Sequence, residues 1–318
     1  MLEISEIPCL IIGYQRVEEV EIQIQKLSDF GINKIYVAID GQKMGITPKF
    51  TESSFQSIAK EKGILIKTWI RKENLGLAVS VVTAIDWFFQ NEAQGIILED
   101  DLNFDKAFLE YVVWGLPMLN TQPDCLMLSG NNFFPSEVSD SFYECSWSNY
   151  PLIWGWATSK DKWFILRELI NQPFSWRNAK MKIKKKGFWL AGTLRAQHGL
   201  VDSWAIPLAA NFYRQKYFCF LPPVALVENR GDDQYATHTK AIRKIDVAPL
   251  KKIEYSLDHL NDQSRQLSKI QNELLERYIY RVRIKHAFSP IHVLLQILRT
   301  KKKSRYLAER ILETKIPS

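Results

Sequence analysis

The sequence predicts an α/β protein built on a mostly parallel sheet flanked by helices, and three observations lead there. Short apolar runs, each too brief for a helix, recur along the first 130 residues: 8–12, 35–39, 64–69, 95–98 and 125–129. Segments with helical spacing separate them, and strands alternating with helices make parallel sheets covered on both faces. Two of the runs end in acid, at Asp40 and at Glu99-Asp100-Asp101. In open α/β sheets the carboxyl ends of strands are where ligands bind.

Residues 8–12 form the first strand, and Gly13-Tyr14-Gln15-Arg16 the turn after it. Val20, Ile24 and Leu27 repeat at helical spacing, with Gly31 where a helix C-cap is expected. Ile35 to Ile39 is the second strand, ending at Asp40-Gly41. A looser stretch with Gly45, Pro48 and Ser53-Ser54 follows, and then a third strand over 64–69. After Asn74, residues 75–90 place Leu77, Val81, Ile85 and Phe88 on one face of a core helix, which leads into the strand at 95–101. A helix over 104–119 and a strand over 125–129 complete the regular part. Beyond Gly130 the pattern is irregular, and Trp154-Gly155-Trp156 reads equally as a ligand-facing wall or as core filling. Residues 180–186 read as a basic exposed loop, 200–204 precede a helix, and 218–227 are extended around Pro222-Pro223.

The chain has 318 residues and a net charge of +7, unevenly spread. Residues 240–318 carry 18 Lys and Arg against 8 Asp and Glu, a balance of +10, leaving −3 for residues 1–239. The boundary near residue 240 therefore separates a nearly neutral main domain, 1–240, from a basic helical C-terminal extension, 241–318. Ile291, Leu294, Leu295 and Leu298 form an apolar stripe followed by Arg299, Lys301, Lys302, Lys303 and Arg305. That pattern suits an anionic membrane surface, and its alternative is a helix packed on the main domain with a solvated basic end. Nucleic acid is not the expected partner. Cys9, Cys125, Cys145 and Cys219 are too scattered for a zinc site, and no run spans a bilayer. The N-terminus lacks the pattern of a signal peptide, so the expected location is cytoplasmic, at most peripheral on the inner face of the cell membrane.

Three consecutive carboxylates at a strand end need a cationic partner. Hard oxygen ligands suit Mg²⁺ or Mn²⁺, ions commonly held by one or two carboxylates plus substrate phosphates. The alternative is a solvated acidic turn.

The run Ile7 to Arg16, the strand end Ile39-Asp40-Gly41, Asn74-Leu75-Gly76-Leu77, the Glu99-Asp100-Asp101 triplet and Trp154-Gly155-Trp156 together resemble, in the same order, glycosyltransferases of the GT-A fold. The chain is most similar to bacterial transferases related to N-acetylglucosaminyltransferase I, over roughly residues 5–240. The resemblance implies a Rossmann-like sheet and transfer of a sugar from a nucleotide-diphosphate donor, UDP-linked by expectation, to a hydroxyl of a glycan or lipid-linked glycan. It implies Asp101 as direct ligand of Mn²⁺ or Mg²⁺, and Glu99 and Asp100 as partners of donor sugar and ribose hydroxyls. Asp40 and Arg16 match positions at the base and its phosphate side, and Asn74 lies in the donor-pocket segment. In Val201-Asp202-Ser203-Trp204, Asp202 is the expected catalytic base of an inverting transferase, although the animal relative has two acids there and this chain has one. The alternative for Asp202 is a helix cap. His238, in Ala236-Thr237-His238-Thr239, is the expected second metal ligand, and Trp154 and Trp156 are the expected acceptor-facing rings. The implied setting is bacterial surface-polysaccharide synthesis. Two other readings stay open: a sugar-phosphate nucleotidylyltransferase, whose glycine-rich phosphate loop Gly13-Tyr14-Gln15-Arg16 does not resemble, and a membrane-associated binding protein with a degenerate transferase fold.

Overall fold

A computed structural model describes residues 2–42, 51–132, 145–173, 183–231, 269–270, 272–273, 275–276 and 307–317. The regular elements begin with β1 (Cys9–Gly13), α1 (Val17–Asp29), β2 (Lys34–Ile39), α2 (Glu52–Lys62) and β3 (Leu65–Ile70). They continue through α3 (Leu77–Asn91), β4 (Gln94–Glu99), β5 (Leu102–Phe104), α4 (Lys106–Thr121) and β6 (Cys125–Ser129). Then come β7 (Ser146–Ser148), β8 (Trp156–Ser159), α5 (Lys160–Asn171), α6 (Ile183–Gln197), α7 (Ala205–Gln215), β9 (Phe218–Leu221), β10 (Val227–Asn229) and α8 (Leu307–Glu313).

Eight strands form one sheet in the order β3-β2-β1-β4-β8-β6-β9-β7, and β5 pairs with β10 in a separate ribbon. β3, β2, β1 and β4 are mutually parallel, and β6 and β9 are parallel to each other. β8 lies antiparallel between β4 and β6, and β7 antiparallel on β9. The expected mostly parallel sheet is therefore present, with one reversed strand at its centre.

The strands read as continuous apolar runs because both faces of the sheet are covered. Side chains alternate across a strand, so Leu10 and Ile12 of β1 enter one core while Cys9 and Ile11 enter the other. β2 divides the same way, with Tyr36 and Ala38 against Ile35, Val37 and Ile39. The first core takes α3 together with Leu166 and Ile170 of α5, Trp189 of α6, Leu208 and Phe212 of α7, and Leu307 and Ile311 of α8. The second takes Val20, Ile24 and Leu27 of α1, Phe55 and Ala59 of α2, and Phe108 and Val112 of α4.

α3 is the central helix, buried from Ala78 to Phe89 apart from Asp86. Phe88 is fully buried, with edge-on contacts to Tyr36 at 5.1 Å and Phe89 at 5.0 Å between ring centres. Phe88→Ala is expected to destabilise the protein by about 3–5 kcal/mol, the usual cost of emptying an aromatic core position. Urea denaturation of the variant would measure it.

Three sequence expectations change. The stretch read as loose contains α2, whose Phe55 and Ala59 lie one turn apart and whose Gly63 closes the C-terminus at φ 67°. The exposed loop expected over 180–186 is helical from Ile183, where α6 begins. The helix expected from residue 104 starts at Lys106, because Leu102 to Phe104 pair with β10 instead. Parts of the C-terminal extension belong to the main body: Leu275 is fully buried in the first core, and Glu276 accepts a 2.9 Å hydrogen bond from the Tyr150 hydroxyl. The apolar stripe at Ile291, Leu294, Leu295 and Leu298 lies outside the described residues. Among the described residues no helix is long and apolar enough to cross a membrane.

Candidate active site

β1 stands between β2 and β4, at the point where the strand order reverses direction. This is the topological switch point at which open α/β sheets leave a crevice. The register fixes what surrounds it. Asp40 N–H donates to the Gly13 carbonyl at 3.0 Å, and Asp100 N–H donates to the Ile12 carbonyl at 3.0 Å. The two acid-bearing strand ends therefore flank the end of β1.

On the β4 side, Asp100 is buried and held in place. It accepts the Tyr14 backbone N–H at 2.9 Å and pairs with the Arg16 guanidinium at 2.9 Å. Burial pushes its pKa up, and these contacts act in the opposite direction. Gln23 of α1 ties the strand end to the helix, donating to the carbonyls of Glu99 at 2.9 Å and Leu102 at 2.6 Å. Burial, then the charge of Asp101 and Asp100, raises Glu99 to about 8. Asp101 is raised to about 6, by burial first and then by Asp100, with Arg16 and Asn229 acting in the opposite direction. Burial and the neighbouring carboxylates thus act against charging all three acids of the triplet at once.

Asp101 keeps one oxygen without a donor. Its Oδ1 is buried and accepts no hydrogen bond, whereas its main-chain carbonyl accepts the Arg230 N–H at 2.7 Å. The chain passes close by at Gly231, where a Cβ would come within 2.3 Å of Asp101 Oδ2. A buried carboxylate oxygen without a donor, in a cluster of acids, fits a hard divalent cation. Among the described residues no three His, Cys, Asp or Glu side chains gather as a complete ligand set. A cation at Asp101 would take substrate phosphate and water among its ligands, as Mg²⁺ commonly does. His238 lies outside the described residues.

On the β2 side, Asp40 is spent on holding the chain. It accepts N–H groups from Gly41 at 3.0 Å, Leu75 at 3.0 Å and Gly76 at 3.2 Å, and the Asn74 side-chain amide at 3.2 Å. Asn74 donates in addition to the Gly41 carbonyl at 2.8 Å. Burial raises the Asp40 pKa, and those amides together with the charge of Arg71 act to lower it. Arg71 lies over the Trp69 ring at 3.9 Å and donates to Ser80 and Thr83, and burial lowers it to about 10.

Asp202 completes the arrangement from the far end of the sequence. Its carboxylate accepts the N–H groups of Leu77 at 2.7 Å and Ala78 at 2.9 Å, two of the free donors that open α3. Asp40 and Asp202 together receive four successive amides, residues 75–78. Gly76 sits between them at φ 80°, a backbone region open to glycine. The cap reading thus describes Asp202, although the helix it caps is α3 and not the α7 that follows it. Asp202 is nonetheless solvent-exposed.

The two tryptophans divide. Trp156 opens β8 with 1% exposure and stacks on Trp204 at 6.4 Å, so of its two readings core filling describes its position and an acceptor-facing ring does not. Trp163 and Trp204, the rings that bury Trp156, lie 7 and 48 residues further along the chain, so the local sequence carried no signal to distinguish the two readings. Trp154 is partly buried on the opposite side, against the second core.

From the sequence, Asn229 and Gly231 stand out only as an Asn-x-Gly segment that leads to His238 and resembles the ending of the same bacterial transferases, while Tyr14 and Arg310 are given no role of their own. Gly41 carries a further constraint, since a Cβ there would lie 2.3 Å from the Glu73 carbonyl carbon. Gly41→Ala is expected to push the 73–76 segment off Asp40 and to destabilise the protein by about 1–3 kcal/mol, the cost of overpacking. Chemical denaturation beside the wild-type chain would read it.

No family model and no curated protein matches this chain. Among solved structures, it is similar to GalNAc-T7 with UDP, GalNAc and Mn²⁺, at 9% identity and a TM-score of 0.43. That match covers 91% of this chain and 56% of the other, so the chain spans little more than half that protein's length. It is also similar to the mannosyltransferase PcManGT from Pyrobaculum calidifontis in complex with GDP-Man and Mn²⁺, at 11% identity and a TM-score of 0.39. Here 95% of this chain and 90% of the other are covered. Neither likeness assigns a role to any residue of this chain.

Proposed function

We propose that this chain is a metal-dependent GT-A-type glycosyltransferase that moves a sugar from a nucleotide-diphosphate donor, a UDP-sugar by preference, to a hydroxyl of a glycan acceptor. The observation that carries this reading is the buried, unpartnered Asp101 Oδ1 in an acidic cluster at the sheet's switch point. A diphosphate with its cation is the ligand that such a cluster accommodates. Mn²⁺ or Mg²⁺, when bound, supplies positive charge for the departing diphosphate.

The remaining roles belong to side chains. Arg16, paired with Asp100, sits at the phosphate side, and Asp40 with Asn74 shapes the base-side wall. Glu99 and Asp100 face the donor sugar and ribose hydroxyls, while Trp154 offers the acceptor-side ring and His238 a further metal ligand. In the inverting displacement the acceptor oxygen bonds to the anomeric carbon while the bond from that carbon to the β-phosphate oxygen breaks. The electron pair leaves with the nucleoside diphosphate. Asp202 takes the acceptor's hydroxyl proton. Each carboxylate oxygen of Asp202 already accepts one amide and keeps a lone pair for this proton. The basic extension, with its stripe at 291–298, brings the enzyme to an anionic membrane surface bearing a lipid-linked acceptor, in bacterial surface-polysaccharide synthesis.

Thermal unfolding with UDP, GDP and their sugars, each with and without Mn²⁺, tests the reading together with release of free sugar. The expected result is stabilisation by UDP or a UDP-sugar that requires Mn²⁺, and slow metal-dependent hydrolysis. Nucleotide binding without hydrolysis would favour a degenerate binding protein, and no response to any nucleotide would end both readings.

A further inference from the structure

The 74–78 turn is held by Asp40 from the sheet and by Asp202 from the segment before α7. A third support reaches it from 235 positions away: the Arg310 guanidinium of α8 donates a short hydrogen bond to the Leu75 carbonyl. Leu75 is also the residue whose N–H goes to Asp40. Both backbone polar groups of Leu75 are therefore fixed by charged side chains from distant parts of the chain.

α8 is anchored well enough to act as a fixed point. Leu307 and Ile311, one turn apart, are buried in the core shared with α3 at 5% and 2% exposure. Arg310 projects beside them, and Thr314 closes the helix end on the Arg310 carbonyl at 2.9 Å. Alongside the contact runs a groove of about 760 Å³ between α8 and the β3–α3 segment, lined by Trp69, Arg71, Lys72, Leu75 and Lys315 among others. Open space there leaves Arg310 to bridge a gap that packing does not fill.

We infer that Arg310 is a positioning residue for the nucleotide-sugar pocket, and that α8 is part of the donor site and not a mere appendage. It acts through the Leu75 carbonyl: holding that group sets the direction of the four amides that Asp40 and Asp202 receive, and with it the placing of Asn74 and of both carboxylates. The part concerning the pocket rests on the transferase reading; the part concerning the turn does not.

Two measurements on the full chain separate them. Hydrogen–deuterium exchange of peptides covering 74–80 is compared among wild type, Arg310→Ala, Arg310→Lys and Leu312→Ala, the last an 80% exposed position on the same helix. UDP affinity in the presence of Mn²⁺ is then measured on the same four proteins. Arg310→Ala is expected to speed exchange of the turn about tenfold while β1 and β4 stay protected, and to weaken UDP binding about tenfold. A hydrogen bond from a charged donor contributes on this scale. Arg310→Lys should fall between, and Leu312→Ala should match wild type. Unchanged exchange in Arg310→Ala, or equal acceleration across the sheet, would overturn the positioning role. Faster exchange confined to the turn in a protein whose wild type binds no nucleotide would leave that role standing and remove the transferase reading. Faster exchange with unaltered UDP affinity would restrict Arg310 to the fold.

Discussion

Asp101→Ala is expected to abolish the Mn²⁺-dependent part of the thermal shift given by UDP and to lower turnover by about three orders of magnitude. A ligand at a hundred times its Kd stabilises a protein by about 2.7 kcal/mol, a shift of a few degrees that is easy to follow. The turnover figure follows from assigning about 4 kcal/mol of leaving-group stabilisation to charge held at this position, with 1.36 kcal/mol per factor of ten. Because Asp101 Oδ1 has no hydrogen-bond partner, removing it orphans nothing at that oxygen. The variant loses the Asn229 contact and is relieved of the repulsion from Asp100, two opposite effects, so its stability without nucleotide should stay near wild type. Asp100→Asn is the contrasting change: it leaves the partly buried Arg16 guanidinium facing a weaker partner and should lower the stability of the unliganded protein. If Mn²⁺ raises the UDP-dependent melting temperature of Asp101→Ala as much as that of wild type, the metal is held elsewhere.

Asp202→Asn should reduce turnover by about two to four orders of magnitude with little change in UDP affinity, because the amide side chain keeps one acceptor for the opening amides of α3 but cannot take a proton. Asp202→Ala removes the cap as well and should cost a further 0.5–2 kcal/mol or so of stability. A cap and a base respond differently to an added carboxylate: formate should restore part of the turnover of the alanine variant and none of its stability. Full turnover in Asp202→Asn, with stability lost only in Asp202→Ala, would reduce this residue to a cap.

The parts of the fold that could be read from sequence are those with one dominant local pattern. β1, β2, β4 and β6 announced themselves as short apolar runs because both faces of each are covered, and α3 by its repeat from Leu77 to Phe88. α2 was hidden because Phe55 and Ala59 are its only buried residues in an otherwise polar stretch. β5, β7 and β10 are three residues long and exist only through their partners. The insertion of β8 between β4 and β6 joins residues 59–65 and 27–29 positions apart, a pairing that no local pattern encodes.

The site divides in the same way. Asp40, Asp100 and Asp101 stand at strand ends, where position alone marks them. Asp202 was visible as an acid before a helix, but the helix whose opening amides it receives begins 125 residues earlier. Arg310 gave no signal, since one arginine among the 17 Lys and Arg residues of the extension cannot declare a carbonyl partner.

The long separation between Leu75 and Arg310 bears on biosynthesis. At roughly 5–20 residues per second, a ribosome that has made Leu75 needs about 10–50 seconds to reach Arg310. During that interval β1 to β4 can pair while the turn beyond β3 lacks Arg310 and, until residue 202 has been made, Asp202 as well. A nascent chain stalled short of α8 would therefore be expected to assemble the sheet before it acquires a finished pocket, which delays competence until α8 has been made.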